Sequence, residues 1–461
     1  MKALRDPDLL LGEGLAAIRA QFKVPAGFPP AVDAAAAEAA RRAPTDHADR
    51  TGLAFVTLDP ATSTDLDQAF TIEEAGADLL LHYAIADVAW FVDDGDVIDA
   101  EAWARGETFY LPDGKAGLYP RVLAEGAASL LPDGPRPAVI LTTRVAPDGS
   151  VKLAGAERAV IRSRAKLAYD TVRDDQLPVG FVDLAARMAR AELARGAARV
   201  DPPEQEVEQD AEGRFTLRMR PLALSETRNA ALSLATNMAV ADALYAAGTG
   251  LFRVMAEPDA AAVARLRHTA RAFGLDWPAD QALEQFEAGL DQTNRADAAF
   301  MLAIRRAGNG ASYVPYAPGV KPWHAAMAAT YAHATAPLRR LADRYVVRAA
   351  LAVANAQAVP DAVQVAFAKL GPVMARADAR AGQIERAVID LAEAAMLSGH
   401  EGKSFSAMVT DLGEAGARIQ LCDHPIVART VARSVTPGEK ITVRLDRADP
   451  ARRELAFSRI A

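Results

Sequence analysis

The pattern of apolar residues changes twice along this chain, and these changes restrict its fold more than any other feature of the sequence. Short apolar runs of strand length, separated by Gly, Pro and Asp clusters, occupy residues 53–58, 79–86 and 138–143. From residue 226 to 355, and again from 359 to 396, apolar residues recur three and four positions apart, which is typical of helices. After Gly402, short alternating runs indicate a small closed barrel of the OB type. We therefore predict the α+β fold class, with an all-β barrel at the end of the chain.

The composition excludes several classes of protein. At roughly 150 residues per domain, a length of 461 residues suggests about three domains. Hydrophobic residues at 51% and charged residues at 24% exclude disordered and collagen-like chains. With 52 Lys and Arg against 60 Asp and Glu, the net charge of −8 excludes a histone-like basic binder but still permits a local basic groove.

Cysteine content and hydropathy indicate the compartment. The single cysteine, Cys422, permits neither an intrachain disulfide nor a Cys-based zinc site, which fits a reducing environment. No secretory leader is visible, and no segment offers about 20 uninterrupted apolar residues, so we expect no membrane association. We expect a cytoplasmic protein and favour a monomer.

An acidic cluster follows the first strand-like run. Asp59 comes directly after that run, and a turn of Thr and Ser leads to Asp65 and Asp67. In an extended segment, residues two apart point to the same side, so these two carboxylates can face one point. Three converging carboxylates repel one another unless a cation neutralises them, and oxygen ligands suit Mg²⁺ or Mn²⁺. The alternative is an Asp-rich turn that caps a helix or fills a loop.

A second candidate segment lies far downstream and is basic. Pro337 suits the first turn of a helix with Thr335 near its N-cap, and Arg339 and Arg340 follow. A helix N-terminus beside two arginines predicts a phosphate-binding site. The alternative is that both arginines lie on a solvated helix face.

Together the two segments resemble the RNB catalytic domain of the ribonuclease II family. The first family signature is an Asp followed, six residues on, by Asp-x-Asp-Asp, and here it reads Asp59, Asp65, Asp67 and then Gln68. The second signature, Thr-Ser-Pro-Ile-Arg-Arg-Tyr-x-Asp, matches residues 335–343. The likeness extends over residues 20–395, and the chain after Gly402 is similar to the S1-like OB-fold barrel that closes these enzymes.

The chain divides into three parts. Residues 1–50 are Ala-rich, which predicts a short helical N-terminal segment and linker. The resemblance implies an RNB catalytic domain at 51–397, with a mixed sheet flanked by helices, and an S1-like RNA-binding barrel at 402–461. It further implies a Mg²⁺-dependent (or Mn²⁺-dependent) 3′→5′ exoribonuclease that hydrolyses single-stranded RNA to nucleoside 5′-monophosphates.

The resemblance also assigns roles to single residues. Asp59, Asp65 and Asp67 would organise the metal, with Asp67 the most critical. Arg339 would contact the scissile phosphate with help from Arg340. Tyr110 would stack on the terminal nucleotide and Glu385 would contact the end of the RNA. Without the resemblance, Tyr110 would be interpreted as a half-buried tyrosine and Glu385 as a solvated helix residue.

The chain departs from the family pattern in two respects. Gln68 stands where the fourth Asp is expected and supplies no negative charge. We also expect the family's N-terminal cold-shock barrels to be absent, which predicts a wider entrance and digestion into duplex RNA. The main alternative is therefore a catalytically weakened RNA-binding protein of the same fold. A phosphodiesterase acting on small substrates is disfavoured because it would rarely need the barrel.

Overall fold

The computed structural model describes residues 4–5, 10–197, 204–209, 215–220, 222–291, 294–308, 310–413, 416–431 and 434–460. Its strands are β1 (Leu4–Arg5), β2 (Ala48–Asp49), β3 (Phe55–Asp59), β4 (Gln68–Ala75), β5 (Asp78–Ala86), β6 (Phe109–Leu111), β7 (Gly114–Ala116), β8 (Arg136–Val145), β9 (Val151–Ile161), β10 (Ser163–Ala168), β11 (Glu204–Gln209), β12 (Phe215–Arg220), β13 (Leu251–Met255), β14 (Ala311–Pro315), β15 (Trp323–His324), β16 (Ala329–Thr330), β17 (Ser404–Gly413), β18 (Gly416–Leu421), β19 (Val427–Val431), β20 (Lys440–Asp449) and β21 (Glu454–Arg459). Its α-helices are α1 (Leu10–Gln21), α2 (Pro30–Ala39), α3 (Val88–Phe91), α4 (Val97–Arg105), α5 (Phe181–Ala194), α6 (Leu224–Ala246), α7 (Ala260–Ala272), α8 (Leu283–Glu287), α9 (Arg295–Ala307), α10 (Leu341–Ala354) and α11 (Asp361–Leu397).

A seven-stranded mixed sheet forms the centre of the molecule. Its strand order is β10-β3-β4-β5-β8-β9-β2, with the β10–β3 and β2–β9 pairs parallel and the other pairs antiparallel. Residues 83–86 at the end of β5 are all buried, as an apolar strand in the middle of a covered sheet should be. Helices α6 and α10 pack against β8 and β9. The predicted α+β class is therefore confirmed.

The helical prediction for residues 226–355 is wrong in part. The stretch contains α6, α7, α8, α9 and α10, but it also contains the four-stranded sheet β14-β13-β15-β16. Helix α6 ends before Gly248 and Gly250, which both adopt positive φ angles, and the apolar run at Leu251 and Phe252 then enters this sheet fully buried. Only the first two residues of this five-residue strand are buried, so its sequence has no alternating pattern that distinguishes it from a turn of helix.

The C-terminal residues form the predicted barrel. Five strands close in the order β17-β18-β19-β21-β20, and β21 closes the ring by pairing in parallel with β19. Alternate residues of each strand fill the interior, including Val409, Ile419, Val443 and Phe457. This all-β unit is the small closed barrel expected from the alternating pattern.

Helix α11 joins the sheet region to the barrel. Its first half packs against α10 and β14, and its last turns pack against strands of the barrel. Glu393 lies in these last turns and is buried, and its Oε1 accepts hydrogen bonds from Val427 N at 2.8 Å and Gln205 Nε2 at 2.6 Å. Burial raises the pKa of Glu393 to about 8, with Asp390 adding to the rise and Arg418 opposing it.

The described residues contain no helix with the length and apolar character needed to cross a membrane.

Replacing Glu393 with Gln should stabilise the protein at alkaline pH. Because the folded pKa is raised, the stability that protonated Glu393 contributes is complete below the unfolded pKa near 4.5 and is lost as pH rises through about 8. The free energy of unfolding of Glu393→Gln should therefore exceed that of the parent by at least about 1 kcal/mol at pH 8, the value of one pKa unit.

Chemical unfolding at pH 5, 6, 7 and 8 measures this difference. Glu385→Gln, an exposed position on the same helix, serves as the matched control and should show no comparable trend. A Glu393→Gln difference that stays constant across this range would contradict the prediction.

Candidate active site

The acidic loop lies between two neighbouring strands of the large sheet. Asp59 is the last residue of β3, and Asp67 immediately precedes β4. Leu66 is fully buried, and its backbone N–H donates to Ser129 Oγ at 2.9 Å. Asp67 is buried as well, so burial alone does not distinguish the side of the chain that carries Leu66 from the side expected to carry Asp65 and Asp67.

Asp67 is a buried carboxylate with two partners from one distant segment. Its Oδ1 accepts a hydrogen bond from Leu338 N at 2.7 Å, and its Oδ2 lies 3.3 Å from Arg339 Nε. Burial raises the pKa of Asp67 to about 7, against the opposing effect of Arg339 and the Leu338 hydrogen bond. Burial likewise raises the pKa of Asp59 to about 6, and Asp65 adds to the rise in both cases.

The arginine segment is a turn and not the start of a helix. The prediction that Pro337 occupies the first helical turn with Thr335 at the N-cap is wrong, because α10 begins only at Leu341. Tertiary hydrogen bonds hold the preceding backbone in another conformation: Leu341 N donates to Gly106 O at 3.0 Å, and Ala336 N donates to Asp343 Oδ2 at 2.8 Å. The predicted phosphate site at a helix N-terminus is therefore absent at this turn.

The two arginines of this turn have different surroundings. The Arg340 guanidinium donates from Nε and Nη2 to both oxygens of the fully buried Asp343, at 2.9 and 2.8 Å. The Arg339 side chain is 44% exposed, and its ion pair is with Asp67, at 3.3 Å from Nε to Oδ2. Arg339 therefore keeps donors available for an additional anion, whereas Arg340 is engaged in a structural pair.

A hairpin formed by β6 and β7 borders the acidic loop. Tyr110 on β6 is 56% exposed, and its hydroxyl donates to Asp65 Oδ2 at 3.2 Å. Lys115 pairs directly across the hairpin from Tyr110, and its Nζ lies 2.7 Å from Asp65 Oδ1. The hairpin is joined to the arginine turn by a hydrogen bond of 2.9 Å from Thr108 N to Arg339 O. Tyr110, Asp65, Asp67 and Arg339 thus belong to a single site.

The side chain of Gln68 is held by two hydroxyl groups. Its Oε1 accepts hydrogen bonds from Tyr83 Oη and from Ser233 Oγ, the latter at 3.1 Å. These donors lie on β5 and α6, so the position at which the family signature has an Asp is part of a polar network behind the acidic loop.

The donor chemistry of the loop fits a hard divalent cation, although the carboxylates already have cationic neighbours. Asp65 adds to the raised pKa of both Asp59 and Asp67, and therefore lies near each of them. Carboxylate oxygens are the ligands that Mg²⁺ and Mn²⁺ prefer. Within the described ranges, however, no group of three or more His, Cys, Asp or Glu side chains is arranged around a common metal position.

Glu385 lies apart from the acidic loop. It is exposed on α11 and lines a cavity of about 770 Å³ between this helix and the barrel, together with Arg386, Arg418 and Arg429. In the described part of the chain, no hydrogen bond or ion pair joins Glu385 to the acidic loop. The structure therefore brings five of the predicted residues together, namely Asp59, Asp65, Asp67, Tyr110 and Arg339. Arg340 lies beside them, paired with Asp343, and Glu385 lies apart from them.

Sequence reasoning missed several residues that shape the site. Asn237 accepts a hydrogen bond from Ala334 N at 2.9 Å, before the arginine turn, and Lys166 Nζ donates to Ala61 O at 2.8 Å in the acidic loop. Asp343 could have been found from the sequence, because it is the last residue of the family signature at residues 335–343. No sequence signal could have found Lys115, because a single lysine in a hairpin is usually solvated.

Comparisons with known proteins agree with this arrangement. The family model of the RNB domain matches residues 48–355, and that of the RNase II-type exonuclease C-terminal S1 domain matches residues 403–460. Exoribonuclease 2 from Yersinia enterocolitica is 38% identical over 128 residues, which cover 27% of this chain and 20% of that protein. Ribonuclease R from Aquifex aeolicus is 27% identical over 417 residues, which cover 84% of this chain and 57% of that protein.

A solved structure is similar in fold over nearly the whole chain. It is described as Mycoplasma genitalium RNase R in complex with ribose methylated single-stranded RNA, and it matches with a TM-score of 0.87 at 20% identity over 98% of this chain and 78% of that chain. The chain spans only 20% to 57% of the length of the two curated relatives named above. Because the RNB match covers well over half of the sequence, the chain belongs to the RNB family and carries an RNase II-type C-terminal S1 domain.

Proposed function

We propose that this protein is a Mg²⁺-dependent 3′→5′ exoribonuclease that hydrolyses single-stranded RNA to nucleoside 5′-monophosphates. The observation that carries the proposal is one site in which an exposed aromatic ring and a half-exposed guanidinium are linked to the acidic loop through Asp65 and the buried Asp67. The relatives named exoribonuclease 2 and ribonuclease R, and the RNA-bound RNase R structure, support the same reaction class.

Tyr110 and Arg339 would bind the RNA. The exposed ring of Tyr110 offers a face on which any base can stack, which suits an enzyme without sequence preference. The exposed part of the Arg339 guanidinium can donate to two oxygens of one phosphate. Since Arg339 also lies 3.3 Å from Asp67, a phosphate bound there would lie beside the acidic loop.

Asp59, Asp65 and Asp67 would hold the cation, with Mn²⁺ as an alternative to Mg²⁺. When bound, the cation supplies positive charge that offsets the negative charge developing on the phosphate. Asp67 has the central position, because it contacts the turn that carries Arg339 and thereby fixes the guanidinium relative to the loop.

Arg340 and Glu385 have more indirect roles in this proposal. Arg340 would help by holding the turn in shape through Asp343. Glu385 would contact RNA in the cavity beside the barrel, where arginines provide the positive charge.

A second candidate function is RNA binding without cleavage. It is favoured by the ion pairs of Asp65 with Lys115 and of Asp67 with Arg339, which neutralise two carboxylates without any metal ion. End-labelled single-stranded RNA, incubated with and without Mg²⁺, separates the two functions: released mononucleotides indicate the enzyme, and a shifted but intact band indicates the binder.

Asp67→Asn should reduce mononucleotide release by roughly a hundredfold or more, the usual effect of removing a central electrostatic group. RNA affinity should stay the same or rise, because the change removes a negative charge close to the phosphate. Asp175→Asn, at an exposed Asp paired with Arg173, is the matched control and should cleave like the parent. Turnover by Asp67→Asn within tenfold of the parent rate would contradict the role of this carboxylate.

Changes at Tyr110 should separate stacking from hydrogen bonding. Tyr110→Ala should weaken RNA binding by about tenfold or more, because base stacking on an aromatic ring contributes ~1–3 kcal/mol. Tyr110→Phe keeps the ring and loses only the hydrogen bond to Asp65, so its RNA affinity should remain within about threefold of the parent. Binding is measured by fluorescence anisotropy in the Asp67→Asn background, where the RNA stays intact. Equal losses for Ala and Phe would mean that the ring does not stack.

Digestion into duplex RNA, expected from the sequence, is a further prediction. Opening each base-pair step costs on the order of 1–2 kcal/mol by analogy with DNA stacking, and drawing the 3′ strand into the site can offset it. Duplexes with 3′ overhangs of graded length should be trimmed to or past the junction. Products that end several nucleotides before every junction would show that the duplex is kept out.

A further inference from the structure

The hairpin that carries Tyr110 is a sheet of two strands, β6 and β7, to which the described residues add no third strand. A hairpin of this size is only marginally stable alone, so its position depends on the elements that pack against it. Along β6, the exposed ring of Tyr110 alternates with the buried side chains of Phe109 and Leu111. The packing of this buried face therefore sets the direction of the Tyr110 ring.

The buried face of the hairpin shares an apolar cluster with the N-terminal helix α1. Helix α11 packs against both α1 and β6. The cluster includes buried side chains from the hairpin, from α1 and from α11, namely Phe109, Leu111, Ala116, Leu11, Leu15, Ile18, Ile384 and Val388. The hairpin and α1 thus belong to one core, although α1 precedes the residues that the RNB family model matches.

Arg19, in the last turn of α1, binds the tip of the hairpin. Its Nε and Nη2 donate to the two carboxylate oxygens of Asp113 at 3.0 and 2.7 Å, and Nη2 also donates to Gly114 O at 3.0 Å. Asp113 lies in the turn between β6 and β7. The Arg19 and Asp113 side chains are only 25% and 32% exposed. A partly shielded pair with two parallel hydrogen bonds is stronger than an ordinary surface ion pair.

Two further arginines fix the chain that follows α1. Arg380 on α11 donates from Nη2 to Phe22 O at 2.7 Å, and its guanidinium lies 4.8 Å from the centroid of the Phe109 ring. Arg105, the last residue of α4, donates from Nη2 to Gly27 O at 2.6 Å. Because α1 is attached to α4 and α11 in this way, Arg19 holds the hairpin tip from a fixed position.

The hairpin contacts the acidic loop through Asp65. Tyr110 Oη donates to Asp65 Oδ2, and Lys115 Nζ lies 2.7 Å from Asp65 Oδ1. The hairpin is therefore held at its tip by Arg19 and along its strands by Asp65. A ring that is already held in one direction loses less conformational entropy when a base stacks on it.

We propose that Arg19 is a positioning residue for RNA binding: it anchors the tip of the hairpin through Asp113 and thereby presents the ring of Tyr110 to an RNA base. Helix α1, which lies outside both regions matched by the family models, is then part of the RNA-binding machinery. This inference rests on the proposed function and adds a residue to its RNA-binding site.

The affinity of the full chain for a labelled oligoadenylate, measured by fluorescence anisotropy in the Asp67→Asn background, tests the proposal. Arg19→Met should weaken binding by about fivefold, because the released hairpin has to be ordered again when a base stacks. In a chain that also carries Tyr110→Ala, the same substitution should change the affinity by less than about twofold, since no ring remains to be positioned. A general loss of stability would instead weaken binding equally with and without the ring.

A second substitution assigns the effect to the ion pair. Asp113→Asn removes the partner of Arg19 and should cause the same loss, with no further loss when the two changes are combined. Arg50→Met is the matched control, because Arg50 also donates from Nε and Nη2 to one carboxylate, that of Glu157 on β9. The RNA affinity of this control should equal that of the parent.

If Arg19→Met does not fold, Arg19→Lys provides the same test, because an ammonium cannot reproduce the forked contact with both oxygens of Asp113. A loss smaller than about twofold, or equal losses with and without the Tyr110 ring, would overturn the proposal. Mononucleotide release by the parent is measured separately with Mg²⁺, so failure of this inference is distinguishable from failure of the exoribonuclease function.

Discussion

The buried carboxylate of Asp67 is the contact on which the arrangement of the site depends. It joins the loop between β3 and β4 to a turn 271 residues away through a hydrogen bond from Leu338 N and an ion pair with Arg339. A carboxylate removed from water is costly unless it is paired and hydrogen-bonded, so the sheet and the turn stabilise each other's conformation at this point. The same contact explains why Arg339 lies in front of the acidic loop although nothing in the local sequence requires it.

A second connection makes the site rigid before any substrate binds. The backbone of residues 106–108 bonds to that of 339–341 through Thr108 N to Arg339 O and Leu341 N to Gly106 O. These bonds connect the segment that leads into the Tyr110 hairpin to the turn that carries Arg339. Asp343 is fully buried and bonded to both Ala336 N and Arg340, and so holds the turn from within the protein. Groups positioned by main-chain bonds lose little conformational entropy on binding, which would favour the stacking and the phosphate contact of the proposed function.

Sequence reasoning succeeded where local pattern decides the outcome and failed where tertiary contacts decide it. The alternation of residues after Gly402 predicted the barrel, whose strands bury alternate residues. The helix expected at Pro337 did not form, because Leu341 N donates to Gly106 O and not to the carbonyl of Pro337, and no local pattern places Gly106 there. The strand at Leu251 was not recognised because only its first two residues are buried, which leaves no alternating pattern of apolar residues. Lys115 became recognisable only when the hairpin register placed it opposite Tyr110 and against Asp65.

Net charge and local charge have opposite signs in this protein, and their separation is a consequence of the fold. The chain carries a net charge of −8, yet the cavity between α11 and the barrel is lined by six arginines against four acidic residues. One of those acids, Glu393, is buried, has a raised pKa and accepts a hydrogen bond from the barrel backbone. Because it is largely protonated at neutral pH, it helps to attach the barrel but adds little negative potential to the cavity. Positive potential concentrated in a cavity attracts phosphates over a short range. The rest of the surface is acidic and disfavours non-specific binding of nucleic acid. Under the proposed function, an RNA strand would bind in this cavity, where α11 and the barrel hold the arginines together although the whole chain is acidic.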